Sequence, residues 1–125
     1  MYKWKSPNGV HLAKWKWGGE MWMSGPEWGY LSVDGMNEFK GAASEAIWSE
    51  DSKYLAFVSI NIEDVPNRKG TEGMSYRVAI LRIEDGILRY CLGNLRLSRI
   101  KLESFTNGCL TAIVNGNQRQ TGLCR

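Results

Sequence analysis

The stretch IWSEDSKYLAF, residues 47–57, is the most informative part of this sequence for its fold. An apolar segment ends in Trp48 and Ser49, a short polar turn follows, and a second apolar segment begins at Tyr54. From residue 54 to residue 62 both alternating sets of side chains are largely apolar, which is typical of a strand covered on both faces. The pattern therefore predicts a β-hairpin whose second strand lies at the centre of a sheet.

The residues that follow extend this hairpin into a meander. Residues 63–75 are predicted to form a long loop, residues 76–83 a strand, and residues 87–92 the strand that returns after a turn at 84–86. Short strands separated by turns rich in Gly and Asp pair as antiparallel neighbours. Residues 46–92 therefore predict four consecutive antiparallel strands.

This strand–turn–strand pattern resembles the blade signature of TolB-type and WD-repeat β-propellers. A closed propeller needs about four to eight blades of about 40–45 residues each, whereas the chain has 125 residues and one clear copy of the signature. The predicted fold is therefore all-β, with antiparallel meanders that form a half β-propeller or a twisted β-sandwich. It is predicted as a single domain over residues 1–125, with the blade-like meander at about 46–92.

The rest of the chain also shows short strands joined by turns. Residues 10–17 alternate in polarity, and Gly18-Gly19 is predicted to end that strand in a turn. Residues 36–40 are predicted to form a separate strand, and residues 42–45 are the one span where a helical turn would fit. Strong hairpin signals occur at Asp34-Gly35, Asn107-Gly108 and Asn115-Gly116.

Lysines near the N terminus alternate with aromatic residues. The interleaved residues are Lys3, Lys5, Lys14, Lys16, Trp4, Trp15 and Trp17. Alternating basic and aromatic residues suit a surface for single-stranded nucleic acid, but they also suit two strands with one solvent-exposed face and one buried face. Because the net charge is only +3 and the basic residues are scattered, the second interpretation is preferred. Direct binding of nucleic acid is therefore not expected.

The cysteines and the N terminus bear on the compartment. Cys91, Cys109 and Cys124 are odd in number and lack C-x-x-C spacing, so free thiols are expected rather than a disulfide framework. No apolar signal segment follows Met1, and no run approaches the roughly 18 apolar residues of a transmembrane helix. The protein is therefore predicted to be cytoplasmic, without a membrane partner.

Signals for catalysis are weak. The single histidine, His11, lies beside Leu12 in a segment that resembles a strand, where a half-exposed structural histidine is the preferred interpretation. Neither a G-x-S-x-G elbow nor a phosphate-binding loop occurs, and no His or Cys pair has metal-ligand spacing. The chain is therefore predicted not to be an enzyme, with no catalytic residue, metal or cofactor.

Acidic residues fall in two turns of the predicted meander. The first and third turns of a four-stranded meander lie at the same end, so Glu50 and Asp51 are expected near Glu84 and Asp85. The loop at the opposite end carries Glu63, Asp64, Arg68, Lys69 and Glu72. Each end is a candidate binding surface for a charged partner. The alternative is that acidic residues simply suit exposed turns.

The size of the chain, its 48–57 signature and its meander resemble the small all-β immunity proteins of contact-dependent growth inhibition systems. Those bacterial proteins have been likened to half-propellers. The resemblance covers about half of the chain, and the signature is specific for the blade rather than for immunity. It implies a non-enzymatic module that binds a cognate toxin domain, often a nuclease such as a ribonuclease, and covers its active site.

The charge of the chain fits that resemblance only in part. Carboxylates in the acidic turns would suit a basic nuclease cleft, because they mimic phosphates there. The net charge of +3, however, departs from the acidic character of many nuclease inhibitors. The long loop or a tryptophan surface could then make the contact instead.

A second class of function stays open at this point. Aromatic rings can act as stacking platforms for sugars, and four tryptophans lie close together in the sequence. They are Trp15, Trp17, Trp22 and Trp28. A small lectin-like protein that binds its ligand through this cluster is therefore the alternative to a protein-binding module.

Overall fold

A computed structural model describes residues 2–20, 27–60, 76–95 and 100–122. These residues form ten β-strands and no helix. Every strand pair is antiparallel. The predicted all-β fold built from antiparallel meanders is therefore confirmed.

The strands form two sheets. Their bounds are β1 Tyr2–Lys5, β2 Leu12–Glu20, β3 Glu27–Val33, β4 Met36–Trp48, β5 Tyr54–Ile60, β6 Tyr76–Arg82, β7 Leu88–Leu95, β8 Ile100–Thr106, β9 Cys109–Val114 and β10 Asn117–Gly122. Strands β1 to β7 pair in sequence order in one sheet, and β9 pairs with β8 and β10 in the other. Within the described residues the larger sheet is open, with β1 and β7 at its edges. The four strands predicted over residues 46–92 correspond to the end of β4 and to β5, β6 and β7, and the meander continues on their N-terminal side through β1, β2 and β3.

The predicted turn at Gly18-Gly19 is wrong, because both glycines lie inside β2. The pairing of β2 with β3 shifts between Trp17 and Gly19, which marks a β-bulge. The ring of Trp28 lies across this bulge, so that a Cβ on Gly18 would come within 2.5 Å of it. Glycine at this position lets the indole approach the backbone closely.

Strand β4 replaces two predicted strands. Residues 36–40 and 46–48 belong to one strand of 13 residues. The helical turn considered for residues 42–45 is also wrong, since the pairing of β4 with β5 instead shifts between Ala42 and Ala46. An irregularity of this kind bends a strand and increases its twist.

The bend in β4 folds the larger sheet onto itself. Phe39 packs against Phe57 with ring centroids 5.6 Å apart, although the residue that pairs with Phe57 is Ala46. A straight strand would separate positions 39 and 46 by about 23 Å. The indole N–H of Trp48 donates to Trp4 O over 2.8 Å and so joins β4 to β1. The early strands therefore cover one face of the later ones.

A first hydrophobic core lies between the two folded halves. Trp15 and Leu31 come from the early strands, Trp48 from the end of β4, and Phe57 from β5. All four side chains are buried. The indole N–H of Trp15 donates to Ala42 O over 2.9 Å, so the polar group of this buried ring has a partner.

A second core lies on the other face of β5 and β6. Ala56 and Val58 of β5 pack there with Phe105 of β8 and Leu110 of β9. Glu45, at the bend of β4, accepts a hydrogen bond from a backbone N–H of β8 over 2.7 Å. Strand β5 is covered on both faces, and the prediction of a central strand is confirmed.

One cysteine differs from the expectation of free thiols. Cys109 is disulfide-bonded, so the expectation is wrong for that residue, and thiol content no longer supports a reducing compartment. The Sγ of Cys91 lies 3.4 Å from Val78 O, and Cys124 lies outside the described residues. Within the described part of the chain, no helix has the length and apolar character needed to cross a membrane.

Candidate functional site

Two acidic turns meet at one end of the larger sheet. The turn between β4 and β5 carries Glu50 and Asp51, and the turn between β6 and β7 carries Glu84 and Asp85. The two turns are adjacent, because a backbone N–H of the second donates to Lys53 O in the first over 2.9 Å. The structure thus brings these four carboxylates to the same end.

A cleft of about 480 Å³ opens at this end, between the acidic turns and the residues that precede β2. Its lining residues are Asn8, His11, Asp51, Ser52, Lys53, Tyr54, Arg82, Ile83 and Glu84. Basic and acidic side chains therefore face the same space. The volume lies in the range of ordinary ligand pockets, so the cleft can admit the side chains of a partner or a small polar ligand.

Asp51 is held in place by its own turn. Its Oδ1 accepts hydrogen bonds from Ser49 Oγ at 2.6 Å and Lys53 N at 3.0 Å. Ser49 Oγ in turn accepts from Tyr54 N. The Ser49 hydroxyl is the main cause of the lowered pKa of Asp51; desolvation opposes it, and Lys53 adds to it. Short polar side chains replace backbone partners in such turns, so this carboxylate is fixed while it stays exposed.

Glu50 joins the acidic turn to the second sheet. Its Oε1 accepts from Asn107 N over 2.9 Å, and its backbone N–H donates to Phe105 O over 3.0 Å. Asn107 lies in the β8–β9 turn with a φ of 52°. Glu50 therefore helps to hold the two sheets together, which its turn position alone does not reveal.

The carboxylate of Asp85 is also hydrogen-bonded, whereas that of Glu84 is not. The guanidinium of Arg82 donates to Asp85 through Nε over 3.1 Å and through Nη2, and Ile87 N donates over 3.0 Å. The hydrogen bond from Arg82 is the main cause of the lowered pKa of Asp85. Glu84 is exposed and makes no hydrogen bond or ion pair within the described residues. Its carboxylate is the most available of the four.

His11 and Asp34 form a hydrogen-bonded pair beside the cleft. Asp34 Oδ2 lies 2.7 Å from His11 Nδ1, and Oδ1 accepts from Leu12 N over 2.9 Å. The imidazole also stacks on the indole of Trp48, with ring centroids 5.9 Å apart. Desolvation acts to raise the pKa of Asp34, but the hydrogen bonds from Leu12 and His11 together lower it. His11 precedes β2, so it does not follow the strand alternation that the sequence suggests.

The pair of His11 and Asp34 follows from the register of β2 and β3. Ala13 pairs with Val33, so the turn after β3 reaches the residues just before β2. Asp34 has a φ of 54° and Gly35 a φ of 73°, as an Asp-Gly hairpin turn requires. The turn signal is visible in the sequence, whereas the pairing of β3 with the start of β2 is not.

The cleft is suited to the recognition of charged groups. Lys53 offers a cationic donor and Glu84 an acceptor on two adjacent turns. Arg82, at the end of β6, adds a second cation, part of whose guanidinium is already paired with Asp85. The buried hydroxyl of Ser52 accepts from Asn8 N over 3.0 Å. Among the described residues, no hydroxyl or thiol is hydrogen-bonded to the ring of His11. In the same residues, no three His, Cys, Asp or Glu side chains come together in a way that could hold a metal ion.

The tryptophans considered as a sugar platform do not share one surface. Trp15 is buried and hydrogen-bonded. Trp17 is 54% exposed but pairs with Gly29, so it lies on the opposite face of the sheet from Trp28. Trp22 lies outside the described residues. No stacking platform is formed by the three described rings.

The second predicted binding end and the comparisons with known proteins add no further site. Glu63, Asp64, Arg68, Lys69 and Glu72 all lie outside the described residues. No protein family, curated protein or solved structure matches this chain. The candidate site therefore rests on the cleft at the acidic end.

Stability is expected to fall below about pH 4. Asp34, Asp51 and Asp85 all have pKa values lowered by hydrogen bonds in the folded protein. Their contribution to stability is complete above the unfolded pKa of about 3.9 and is lost as the pH falls through the lower folded value. As far as these groups are concerned, the melting temperature should stay level from about pH 7 to 5 and decrease towards about pH 3.

A single substitution can isolate one of these groups. Asp34→Asn should show a shallower decrease in melting temperature between about pH 5 and 3 than the unmodified protein. The control Glu103→Gln removes an exposed carboxyl of β8 and should keep the original profile. If the unmodified protein had the same melting temperature at about pH 5 and about pH 3, the assignment of lowered pKa values to these carboxyl groups would be contradicted.

Proposed function

We propose that this protein is a protein-binding module that acts as an immunity protein, neutralising a bacterial toxin by covering its active site. The observation that carries the proposal is the cleft at the acidic end, where Asp51 and Glu84 face the same space as Lys53 and Arg82. Charged groups on a rigid concave surface favour a partner of complementary charge and position.

Exposed aliphatic side chains near the cleft favour a protein partner over a small ligand. Val10 is 68% exposed and immediately precedes His11, a lining residue. Ile87 is 51% exposed, and its backbone N–H donates to Asp85 in the second acidic turn. Apolar contacts combined with polar groups are typical of protein interfaces. These two side chains can supply such contacts near the charged cleft.

A nuclease, for example a ribonuclease, is the toxin class that we propose. Carboxylates can occupy the positions that substrate phosphates take in a basic nuclease cleft. Glu84 is the leading candidate because its exposed carboxylate makes no hydrogen bond or ion pair within the described residues. A cytoplasmic location, where such a toxin would act, stays a prediction.

The decisive experiment uses the C-terminal domain of a large secreted toxin encoded directly upstream of the gene for this protein. A stable one-to-one complex on size-exclusion chromatography is expected, and deletion of the gene should make the cell sensitive to that toxin. Absence of such a complex would overturn the proposal. A change in tryptophan fluorescence on addition of sugars, without a toxin complex, would favour the lectin-like alternative.

Reversal of the charge of Glu84 is expected to weaken the toxin complex by about tenfold or more and to make binding less sensitive to salt. Asp51 and Asp85 are less suitable, because their reversal would also break turn hydrogen bonds. Calorimetric titration of Glu84→Lys at two ionic strengths gives the dissociation constants.

Glu103→Lys is the matched control, since Glu103 is an exposed carboxylate of β8 outside the cleft. It should bind the toxin domain as the unmodified protein does. Both variants should keep the original melting temperature. Unchanged affinity in Glu84→Lys would exclude this end of the sheet as the interface.

A further inference from the structure

The outer face of the first four strands carries an array of lysines. Trp15 and Leu31 point into the first core, so the residues that alternate with them point away from it. The outward lysines are Lys3 and Lys5 of β1, Lys14 and Lys16 of β2, and Lys40 of β4. All five are exposed. These five residues, with Trp28 and Tyr30 of β3, are called the lysine face below.

The strand pairing sets the spacing of this array. Lys3 lies directly opposite Lys14, and Tyr30 pairs with Lys16 on one side and Lys40 on the other. Neighbouring strands lie about 4.8 Å apart, and alternate residues along one strand about 6.8 Å apart. The ammonium groups are therefore distributed in two dimensions, at intervals that suit successive phosphates of an extended chain.

Two aromatic rings lie among the lysines. Trp28 and Tyr30 are both half-exposed and meet edge to face, with centroids 5.5 Å apart. Lys40 Nζ lies 5.5 Å from the centroid of Trp28, and Lys16 Nζ lies 5.7 Å from that of Tyr30. Surfaces that bind single-stranded nucleic acid combine these two features, because bases stack on the rings and phosphates pair with the charges.

The lysines have no acidic partners within the described residues. The ion pairs found there are His11–Asp34 and Arg82–Asp85. Glu38 is an exposed carboxylate two residues before Lys40 and makes no ion pair with it. Like charges directly opposite each other destabilise a sheet, and an anion bound between the lysines would remove that repulsion.

We propose that the lysine face binds single-stranded nucleic acid, with phosphates along the lysines and bases on Trp28 and Tyr30. A duplex encloses its bases and could not use these rings. The proposal is independent of toxin binding, because no residue of the lysine face lines the cleft. The sequence alone did not lead us to expect binding of nucleic acid. The strand pairing changes that expectation, because it places Lys40 and both rings beside the lysines of β1 and β2.

The test is a titration of the full chain against fluorescein-labelled oligothymidylate and oligouridylate of about 15 nucleotides, followed by fluorescence anisotropy. Binding should weaken with salt, with a slope of log K against log salt of about −0.7 for each phosphate contact. Lys14→Gln/Lys16→Gln should weaken binding by about tenfold or more and reduce the slope by about 1.4. Trp28→Leu should weaken binding about fivefold or more through lost stacking.

Arg89→Gln/Lys101→Gln is the matched control, because it removes the same charge from exposed positions in β7 and β8. It should keep the original affinity and slope. Melting temperatures identify any variant that is unfolded, and Lys14→Gln alone should be at least as stable as the unmodified protein.

Three outcomes would overturn the proposal. Equal losses in the two double variants would mean that binding depends on net charge rather than on the lysine face. Binding of polyglutamate without binding of either oligonucleotide would assign the lysine face to an acidic protein partner. Failure to bind both kinds of probe at low salt would exclude a polyanion site.

Discussion

Replacement of Trp48 by alanine is expected to lower the free energy of unfolding by about 3–5 kcal/mol. Trp48 is 7% exposed in the first core. Its indole N–H donates to Trp4 O over 2.8 Å, and its ring stacks on His11. Alanine would leave a cavity and an unpaired carbonyl where β4 meets β1, and both effects destabilise the fold. Urea denaturation followed by far-UV circular dichroism measures the change.

Two further substitutions show which part of the effect comes from burial. Trp17→Ala removes an indole that is 54% exposed and should cost less than about 1 kcal/mol. Trp48→Phe keeps an aromatic ring but loses the donor to Trp4 O, so an intermediate loss of about 1–3 kcal/mol is expected. A denaturation midpoint for Trp48→Ala equal to that of the unmodified protein would show that the contact of β1 with β4 does not stabilise the fold.

Replacement of Gly29 by alanine is expected to destabilise the protein by about 3 kcal/mol, the upper end of typical overpacking costs. A Cβ at this position would lie 2.3 Å from Lys16 O and 2.5 Å from the ring of Trp15. The carbonyl belongs to the paired strand β2, and Trp15 is buried and hydrogen-bonded to Ala42 O. Neither neighbour can move without loss of sheet pairing or core packing.

Gly18→Ala is the matched control for Gly29→Ala. A Cβ on Gly18 meets the ring of Trp28 at 2.5 Å. Because this ring is a half-exposed side chain, it can move aside, and we expect a smaller loss of stability than at Gly29. Thermal unfolding of the two variants side by side makes the comparison. Equal losses would contradict the explanation based on which neighbour can move.

Local sequence patterns correctly predicted the strands and turns whose conformation depends only on neighbouring residues. The run from Tyr54 predicted a strand covered on both faces, and the Asp34-Gly35 and Asn107-Gly108 pairs predicted hairpin turns that the structure contains. Local patterns failed at Gly18-Gly19, since the reason for those glycines is the distant ring of Trp28. They also divided β4 into two strands, because a bend within one strand has the same local pattern as a break.

The candidate site could be predicted only in part. Meander topology was enough to expect Glu50 and Asp51 near Glu84 and Asp85. The hydrogen bond of Glu50 to Asn107 and the pair of His11 with Asp34 were not predictable, since each joins elements that are far apart along the chain. The same limit applies to the lysine face, which needs the pairing of β3 with both β2 and β4 to become a single surface.

Apolar alternation and turn residues act over a few positions, so they were enough to predict the all-β class, the meander and the two-sided burial of β5. How those strands stack, and which side chains meet, depends on contacts between elements that are far apart along the chain. The bend in β4 places the early strands over Phe57 and Trp48. Because of that packing, the acidic turn after Trp48 lines one side of the charged cleft. Contacts between distant elements depend on register and bending, which no local pattern encodes.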